Sequence, residues 1–359
     1  MEKIFNRWAQ WVPFLSGVCL YGFMSQPMLG FWSVFAFGIM MLSVIASVHH
    51  AELIAHRLGE PYGTLVLALA VTVIETAMIL SIMFTDGGKN ATLPRDTIYA
   101  AVMIICNGVV GLSLLIGGVH HKEQLFRIEG TGSGFAALVT LSVLVMVMPL
   151  FTTSSPEGTY TNSQLMFVAL SSLALWLVFV FIQTIRHRDY FLPTVNVDDE
   201  SVHAAPPTAS QAWVSFALMA VSLICVVGLA KILSPTIKSL VTTYNAPDAT
   251  VGIVIALIVL LPETWAALRA ARADRLQTSM NLAIGSALAS IGLTIPLVVL
   301  ASVVFKFELM LGIDTKDVVL LSLTFLVGAI TLGSGRTNVM QGAIHIVLFA
   351  SFLFLTLVP

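Results

Sequence analysis

The sequence predicts an all-α polytopic membrane protein of eleven transmembrane helices, and three observations carry that expectation. Of its 359 residues, 57% are hydrophobic and only 10% are charged, whereas a soluble domain carries about a quarter charged residues. The apolar residues fall in blocks of roughly 20, the length that crosses a ~30 Å hydrocarbon core. A twelve-residue segment from the first half of the chain also recurs in the second, carrying the same acidic residue in the same place.

Breaking the hydropathy at turn and charge clusters places spans at 8–24, 29–50, 62–85, 96–118, 133–151, 162–185, 209–232, 249–270, 279–305, 316–334 and 338–357. Helices are the required element, because every backbone polar group in lipid must be satisfied internally and these runs exceed the ~10 residues of a barrel strand. No small-residue cleavage site follows the first apolar run after MEKIFNRW, so that run is expected to stay in the protein. Cys19, Cys106 and Cys225 all lie in apolar runs without paired or metal-ligand spacing, which argues against a disulfide framework or a zinc site.

Basic residues set the expected orientation. Eleven (Lys3, Arg7, Arg57, Lys122, Arg127, Arg186, Arg188, Arg269, Arg272, Arg275 and Arg336) fall on one side of this topology, against six (Lys89, Arg95, Lys231, Lys238, Lys306 and Lys316) on the other. The richer side is expected to be cytoplasmic, with the N-terminus inside, the C-terminus outside and the chain in a bacterial inner membrane. The longest polar break, at 186–208, reads as a cytoplasmic linker; its Asp198, Asp199 and Glu200 are most simply a solvated acidic run. The expected division is a tail and first span at 1–28, a five-helix repeat at 29–185, the linker, and a second five-helix repeat at 209–359.

The repeat lays LVLALAVTVIET (Leu65 to Thr76) over IVIALIVLLPET (Ile253 to Thr264). Val66, Ala68, Leu69, Val71, Glu75 and Thr76 meet identical residues, and Glu75 falls on Glu263. Matching valines and leucines carry little weight in apolar helices; the shared Glu-Thr carries more. The equivalent helices are five spans apart and so cross the membrane in opposite directions, the inverted arrangement that secondary transporters build around a midplane site.

Both glutamates stand about 14 residues into their spans, roughly 20 Å deep at ~1.5 Å per residue. An ionised acid at that depth costs at least ~2.5–3.5 kcal/mol on insertion scales, so it is retained where it meets a cavity, a partner or a proton. Desolvation favours the protonated carboxyl and a bound cation favours the ionised one. Cation and proton therefore compete for the same oxygens, which is the coupling an antiporter needs, and two glutamates can trade two protons for one divalent ion. Calcium takes about six to eight oxygens, so further ligands are sought among hydroxyls and carbonyls. In NLAIGSALASIGLTIP, Gly285, Ser286, Ser290 and Thr294 bring small and hydroxyl residues to helical spacing, and Pro296 is expected to break the helix. In MIICNGVVGLSLLIGG, Asn107, Gly108, Gly111 and Ser113 play the same compositional part, with close helix packing the equal alternative.

The segments AHRLGEPYGTLVLALAVTVIE (Ala55 to Glu75), GLSLLIGG (Gly111 to Gly118), LPE (Leu261 to Glu263), MNLAIGSALASIGLTIP (Met280 to Pro296) and GRTNVMQGAIHIVLFA (Gly335 to Ala350) resemble the calcium/proton antiporter branch of the cation/calcium exchanger superfamily, bacterial ChaA-type. The resemblance spans nearly the whole chain. It implies one helix followed by two inverted five-helix repeats, and Glu75 and Glu263 as the residues that hold metal cation and proton in turn. Calcium is the first expected ion, with sodium and potassium also handled by such relatives. The chain departs from the common pattern by carrying Val-Thr-Val-Ile and Leu-Leu-Pro, rather than a Gly-Asn pair, before its glutamates.

Other classes fit less well. The net charge of −2 offers no basic field for nucleic acid. No His-Glu-x-x-His or Gly-x-Ser-x-Gly motif suggests an enzyme, and no cofactor is expected. A channel usually surrounds its pore with rings from several subunits, whereas one chain here carries its own inverted pair. His49, His50, Glu52 and His56 cluster at one end of the second span, where a pH sensor is a lesser expectation.

Overall fold

The computed structural model describes residues 2–24, 30–58, 62–85, 90–192, 207–244 and 246–358. Each apolar block becomes one continuous helical run: α1 (Glu2–Phe23), α2 (Phe31–Leu58), α3 (Tyr62–Thr85), α4 (Leu93–His121), α5 (Ile128–Leu150), α6 (Asn162–Arg186), α7 (Ala209–Thr243), α8 (Ala249–Arg272), α9 (Leu276–Phe305), α10 (Thr315–Leu332) and α11 (Val339–Leu357). Among the described residues, nine of these are long and apolar enough to cross a membrane, and α3 adds the shorter apolar stretch Leu69–Phe84. One helix is thus followed by two sets of five, α2–α6 and α7–α11.

The chain folds as two compact units that do not follow its two halves: Met1–Asn90 with Asp199–Val251, and Ala91–Asp198 with Gly252–Pro359. The first unit holds α1, α2, α3 and α7. Here α2 packs against α7, α3 and α1, and α1 and α3 also pack on α7. Small side chains permit the approach: Ala51 and Ala70 are buried with Met219, flanked by Ile54 and Leu223. Proline shapes the polar contacts. Pro13 lies inside α1 and has no N–H, so the carbonyl of Ala9 loses its usual intrahelical donor. The Nε2 of His50 on α2 meets that carbonyl at 3.0 Å. Ser43 Oγ donates to Ser16 Oγ at 2.6 Å, a second tie between the two helices.

The second unit holds α4, α5, α6, α9, α10, α11 and α8 from Gly252 onward. Its most buried helix is α4, which packs against α11 and α9, while α9 also lies against α5 and α6. Three of its helices contain a wider π-helical turn, at Ile104–Val109, Val143–Val147 and Ile182–Arg186. Such turns interrupt the i→i−4 ladder and re-aim the side chains they carry. The expected break at Pro296 does not occur. Helix α9 runs through that proline to Phe305, leaving only the carbonyl of Gly292 without its i+4 donor. At Gly292 a Cβ would stand 2.5 Å from Cβ of Trp176, so α6 packs along this stretch and helps hold it helical.

One end of this unit is tied by a short ladder and a set of amides. Gln124–Leu125 pairs antiparallel with Arg336–Thr337, with Gln124 opposite Thr337. The Nε2 of Gln124 donates to the carbonyl of Ala271 at 2.9 Å and to Asp274 Oδ1 at 2.8 Å, gripping the turn between α8 and α9. Asn281 Nδ2 donates to the carbonyl of Phe191 at 2.6 Å. The start of the polar break is therefore structured: Arg188–Phe191 forms a 3-10 turn, and Phe191 is buried against Phe179. Asp198, Asp199 and Glu200 lie outside the described residues. At the other end, Arg95 donates to Asp96 Oδ1 at 2.8 Å and to the carbonyl of Gly312 at 2.7 Å. Nearby, in the α5–α6 connection, the Tyr160 hydroxyl donates to the carbonyl of Leu144 at 2.7 Å, and burial pushes its pKa up to about 12.

Candidate functional site

Each unit carries one of the two repeat-related glutamates. In the first, Glu75 stands in the middle of α3 and is 1% exposed. Thr72 and Thr76, three residues before it and one after, are buried as well. An α-helix brings positions three apart to one face, so Thr72 and Glu75 share a buried face. Val73, two residues before the glutamate, is exposed and lies on the opposite side of the helix.

In the second unit, Glu263 follows Pro262 inside α8 and is 8% exposed. The proline removes an N–H one residue before the acid, so the carbonyl of Ile258 is left without its i+4 donor about a turn away. The hydroxyl of Ser286 on α9 donates to Glu263 Oε2 at 2.5 Å. A hydroxyl donating to a carboxylate is a charge-assisted bond, shorter and stronger than its neutral counterpart. Of the residues singled out on α9, Ser286, Ser290 and Thr294 are all buried and follow one another at i, i+4, i+8. Beside them, a Cβ built on Gly285 meets no atom within 4 Å. The carboxylate of Glu263 thus faces a helix bearing a stripe of hydroxyls with open space alongside.

Ser286→Ala is expected to leave the protein folded and to weaken cation affinity about three- to tenfold, equivalent to ~1 kcal/mol for one lost hydrogen bond. Cation titrations of wild type and variant measure it, and equal affinities would exclude a role for the hydroxyl.

Asn107 lies in the π-helical turn of α4 and is fully buried. Its Nδ2 donates to Thr324 Oγ1 on α10 at 2.9 Å, and its Oδ1 meets His345 Nδ1 on α11 at 3.1 Å. The other ring nitrogen of His345 meets Thr331 Oγ1 at 3.2 Å. Asn107 is therefore the hub of a buried network joining three helices. Sequence reasoning passed over His345, Thr324 and Thr331, although a lone histidine in the apolar run GAIHIVLF was the available signal. Asn338 and Gln341 form the capping box that starts α11. Among the described residues no group of three or more His, Cys, Asp or Glu side chains is placed to hold a metal. Any cation bound here would rely on hydroxyl, carbonyl and water oxygens beside the carboxylates.

The signature of the sodium/calcium exchanger protein family matches residues 30–185 and 214–358. The y4hA protein of Sinorhizobium fredii is 45% identical over 326 residues, covering 90% of this chain and 87% of that protein. The sodium-potassium/proton antiporter ChaA of Escherichia coli is 37% identical over 314 residues, covering 87% of this chain and 84% of its own length. Among solved structures, an H+/Ca2+ exchanger, CAX, superposes with a TM-score of 0.76 at 14% identity, over 98% of this chain and 88% of the other. At that identity the likeness speaks for the fold. The family signature covers both repeats and both glutamates, and this multi-pass membrane protein belongs to the sodium/calcium exchanger protein family.

Proposed function

We propose that the protein is a secondary active antiporter that moves a metal cation against protons, with Glu75 and Glu263 each alternating between a bound proton and a bound cation. The observation that carries this reading is a pair of buried carboxylates at equivalent places in two inverted repeats. A carboxylate in a low-dielectric site is stable when protonated or when beside a cation, and the exchange of one for the other is the coupled step. Ser286 stabilises the ionised form of Glu263, while Ser290, Gly285 and Asn107 line or shape the approach. No cofactor enters the cycle. Basic-residue placement supports a cytoplasmic N-terminus in a bacterial inner membrane.

Calcium is the first ion in this reading, supported by relatives named as Ca2+/H+ antiporters at 21% and 22% identity. Exchange of sodium or potassium is the second, favoured by the name of the Escherichia coli relative at 37%. Everted membrane vesicles holding a proton gradient and a pH-reporting dye separate the two. Whichever of calcium, sodium and potassium collapses the gradient is transported. Because cation and proton compete for the same oxygens, lowering pH is expected to raise the apparent KM for the cation while the maximal rate at saturating cation is kept. A gradient that no cation dissipates would sink the antiport reading.

A further inference from the structure

In the second unit, contacts at both ends fix how α4 and α9 lie together. His121, in the last turn of α4, meets the carbonyl of Arg272, just before α9, at 2.9 Å. The amide of Met310, in the loop after α9, donates to the carbonyl of Ala91, just before α4, at 3.1 Å. The two helices are therefore antiparallel, and between them Ser279 Oγ on α9 donates to Ser113 Oγ on α4 at 2.9 Å. Six residues back along α4 from Ser113 stands Asn107, and six residues on along α9 from Ser279 stands Gly285, with Ser286 next. At ~1.5 Å per residue, both lie about 9 Å from the serine pair. Asn107 is thus level with the hydroxyl that holds Glu263, although its own side chain is bonded to α10 and α11.

The turn that carries Asn107 needs outside support. Within it the amide of Val110 bonds back to the carbonyl of Ile105, five residues before, so the carbonyl of Cys106 loses its i+4 donor. The buried ring of His345 borders that carbonyl. Asn107 Oδ1 can only accept, so Nδ1 of His345 carries the ring proton and Nε2 accepts from the Thr331 hydroxyl. On the other side of the amide, Nδ2 donates to Thr324 Oγ1, whose own hydroxyl turns to Met103 Sδ at 3.5 Å. The pattern is complete with the imidazole neutral and Asn107 in one orientation. An amide passes no proton on at physiological pH, so the chain from Thr331 through His345 ends at Asn107 and is not a proton path. The wide turn itself packs against α9, α10 and α11.

We propose that His345 is a positioning residue of the cation site: its Nδ1–H holds Asn107 and the wide turn of α4 in place against α9, and so sets where Ser286 meets Glu263. The imidazole carries none of the exchanged protons. Without its N–H, the Asn107 oxygen and the Cys106 carbonyl are left as buried acceptors lacking a donor, and the turn relaxes to satisfy them. That shift moves α4 against α9 at the depth of Ser286, which loosens the cation site without removing a ligand. The proposal rests on the antiport reading and lies within one unit.

Exchange assays in everted vesicles with calcium, sodium and potassium, and calorimetric titration of the same ions into the purified full chain, test it. His345→Leu is expected to raise both the KM and the Kd of the exchanged cation about tenfold, the order set by one hydrogen bond withdrawn from a buried group. The maximal rate is expected to stay within about twofold of wild type, as for a loss of ground-state binding, and the shape of the pH profile to stay unchanged. His345→Asn places an N–H where Nδ1 was and is expected to restore most of the affinity. Thr324→Val, close to threonine in shape, releases Asn107 from its other side and is expected to raise KM about threefold; it keeps the test decisive if leucine at 345 does not fold. Wild-type KM in the leucine and valine variants, or equal losses in the asparagine and leucine variants, would overturn the proposal. So would a changed pH profile, which would make His345 a proton carrier, or a fall in maximal rate and melting temperature with KM unchanged. A wild-type protein that neither exchanges nor binds any of the three ions would sink the antiport reading, and this proposal with it.

Discussion

Exchange is expected to stop in Glu263→Gln and in Glu75→Gln, while both variants still insert, fold and melt at or above the wild-type temperature. The two halves of that expectation rest on different physics. Glutamine has nearly the shape of glutamate, and its amide oxygen still accepts from the Ser286 hydroxyl that now donates to Glu263, so the packing around α8 and α9 survives. At 1% and 8% exposure, each acid carries a desolvation burden that an amide does not, about 2.5–3.5 kcal/mol on insertion scales. Stability should therefore hold or rise.

Transport should not survive. An amide neither takes a proton at physiological pH nor neutralises a cation. Removing one partner of a buried charge pair costs about 3–5 kcal/mol, roughly a 10²–10⁴-fold loss of cation affinity. The dye assay in everted vesicles reads the loss of exchange, and thermal unfolding reads the retained fold. Full exchange in both variants would move the coupling site elsewhere. Loss of exchange together with a large drop in melting temperature would instead make the glutamates structural.

The helices were legible because the bilayer imposes one rule on every span: about 20 apolar residues with no unsatisfied backbone. Boundaries slipped where helix outlasts hydrocarbon. Helix α7 was expected to end at residue 232 and continues to Thr243 past Lys231 and Pro235, because a helix leaving the apolar layer can go on making its own hydrogen bonds. Pro296 misled for a related reason: a proline removes one bond, and neighbouring packing can hold the rest. The glutamates were legible because a carboxyl in an apolar run is expensive and this one occurs twice. Helix partners were not. Nothing in the periodicity of α7 says that it packs on α2 and α3, since that choice is made by surface shape, such as Ala51 and Ala70 against Met219. The Asn107 network was hidden likewise, because its members are 14 to 238 positions apart in the chain.

The small residues of α4 and α11 carry the second large prediction, that Gly342→Val destabilises the protein severely while Gly285→Ala leaves its stability almost unchanged. Lipid tails are as apolar as leucine, so helices in a bilayer are held by close packing and hydrogen bonds. At Gly342 a Cβ would stand 2.5 Å from the amide nitrogen of Leu115 and 3.0 Å from the carbonyl oxygen of Gly111. Reciprocally, one at Gly111 would stand 2.9 Å from His345 Cβ, and one at Gly118 would stand 2.8 Å from the amide of Val339. Backbone meets backbone along this seam, so no side chain can turn aside. Valine at 342 must push the helices apart, which costs about 1–3 kcal/mol in overpacking. The same displacement pulls His345 from Asn107, a 3.1 Å contact, and each buried polar group left unpaired adds ~1–3 kcal/mol. The expected loss is about 3–5 kcal/mol, enough to lower the melting temperature by about 4–7 °C in a chain this long. At Gly285 the built Cβ meets nothing within 4 Å, and alanine there also gains helix propensity. Thermal unfolding of the two variants side by side checks both claims. If Gly342→Val melted with wild type, α4 and α11 would not be held by backbone contact, and the histidine network would need another support.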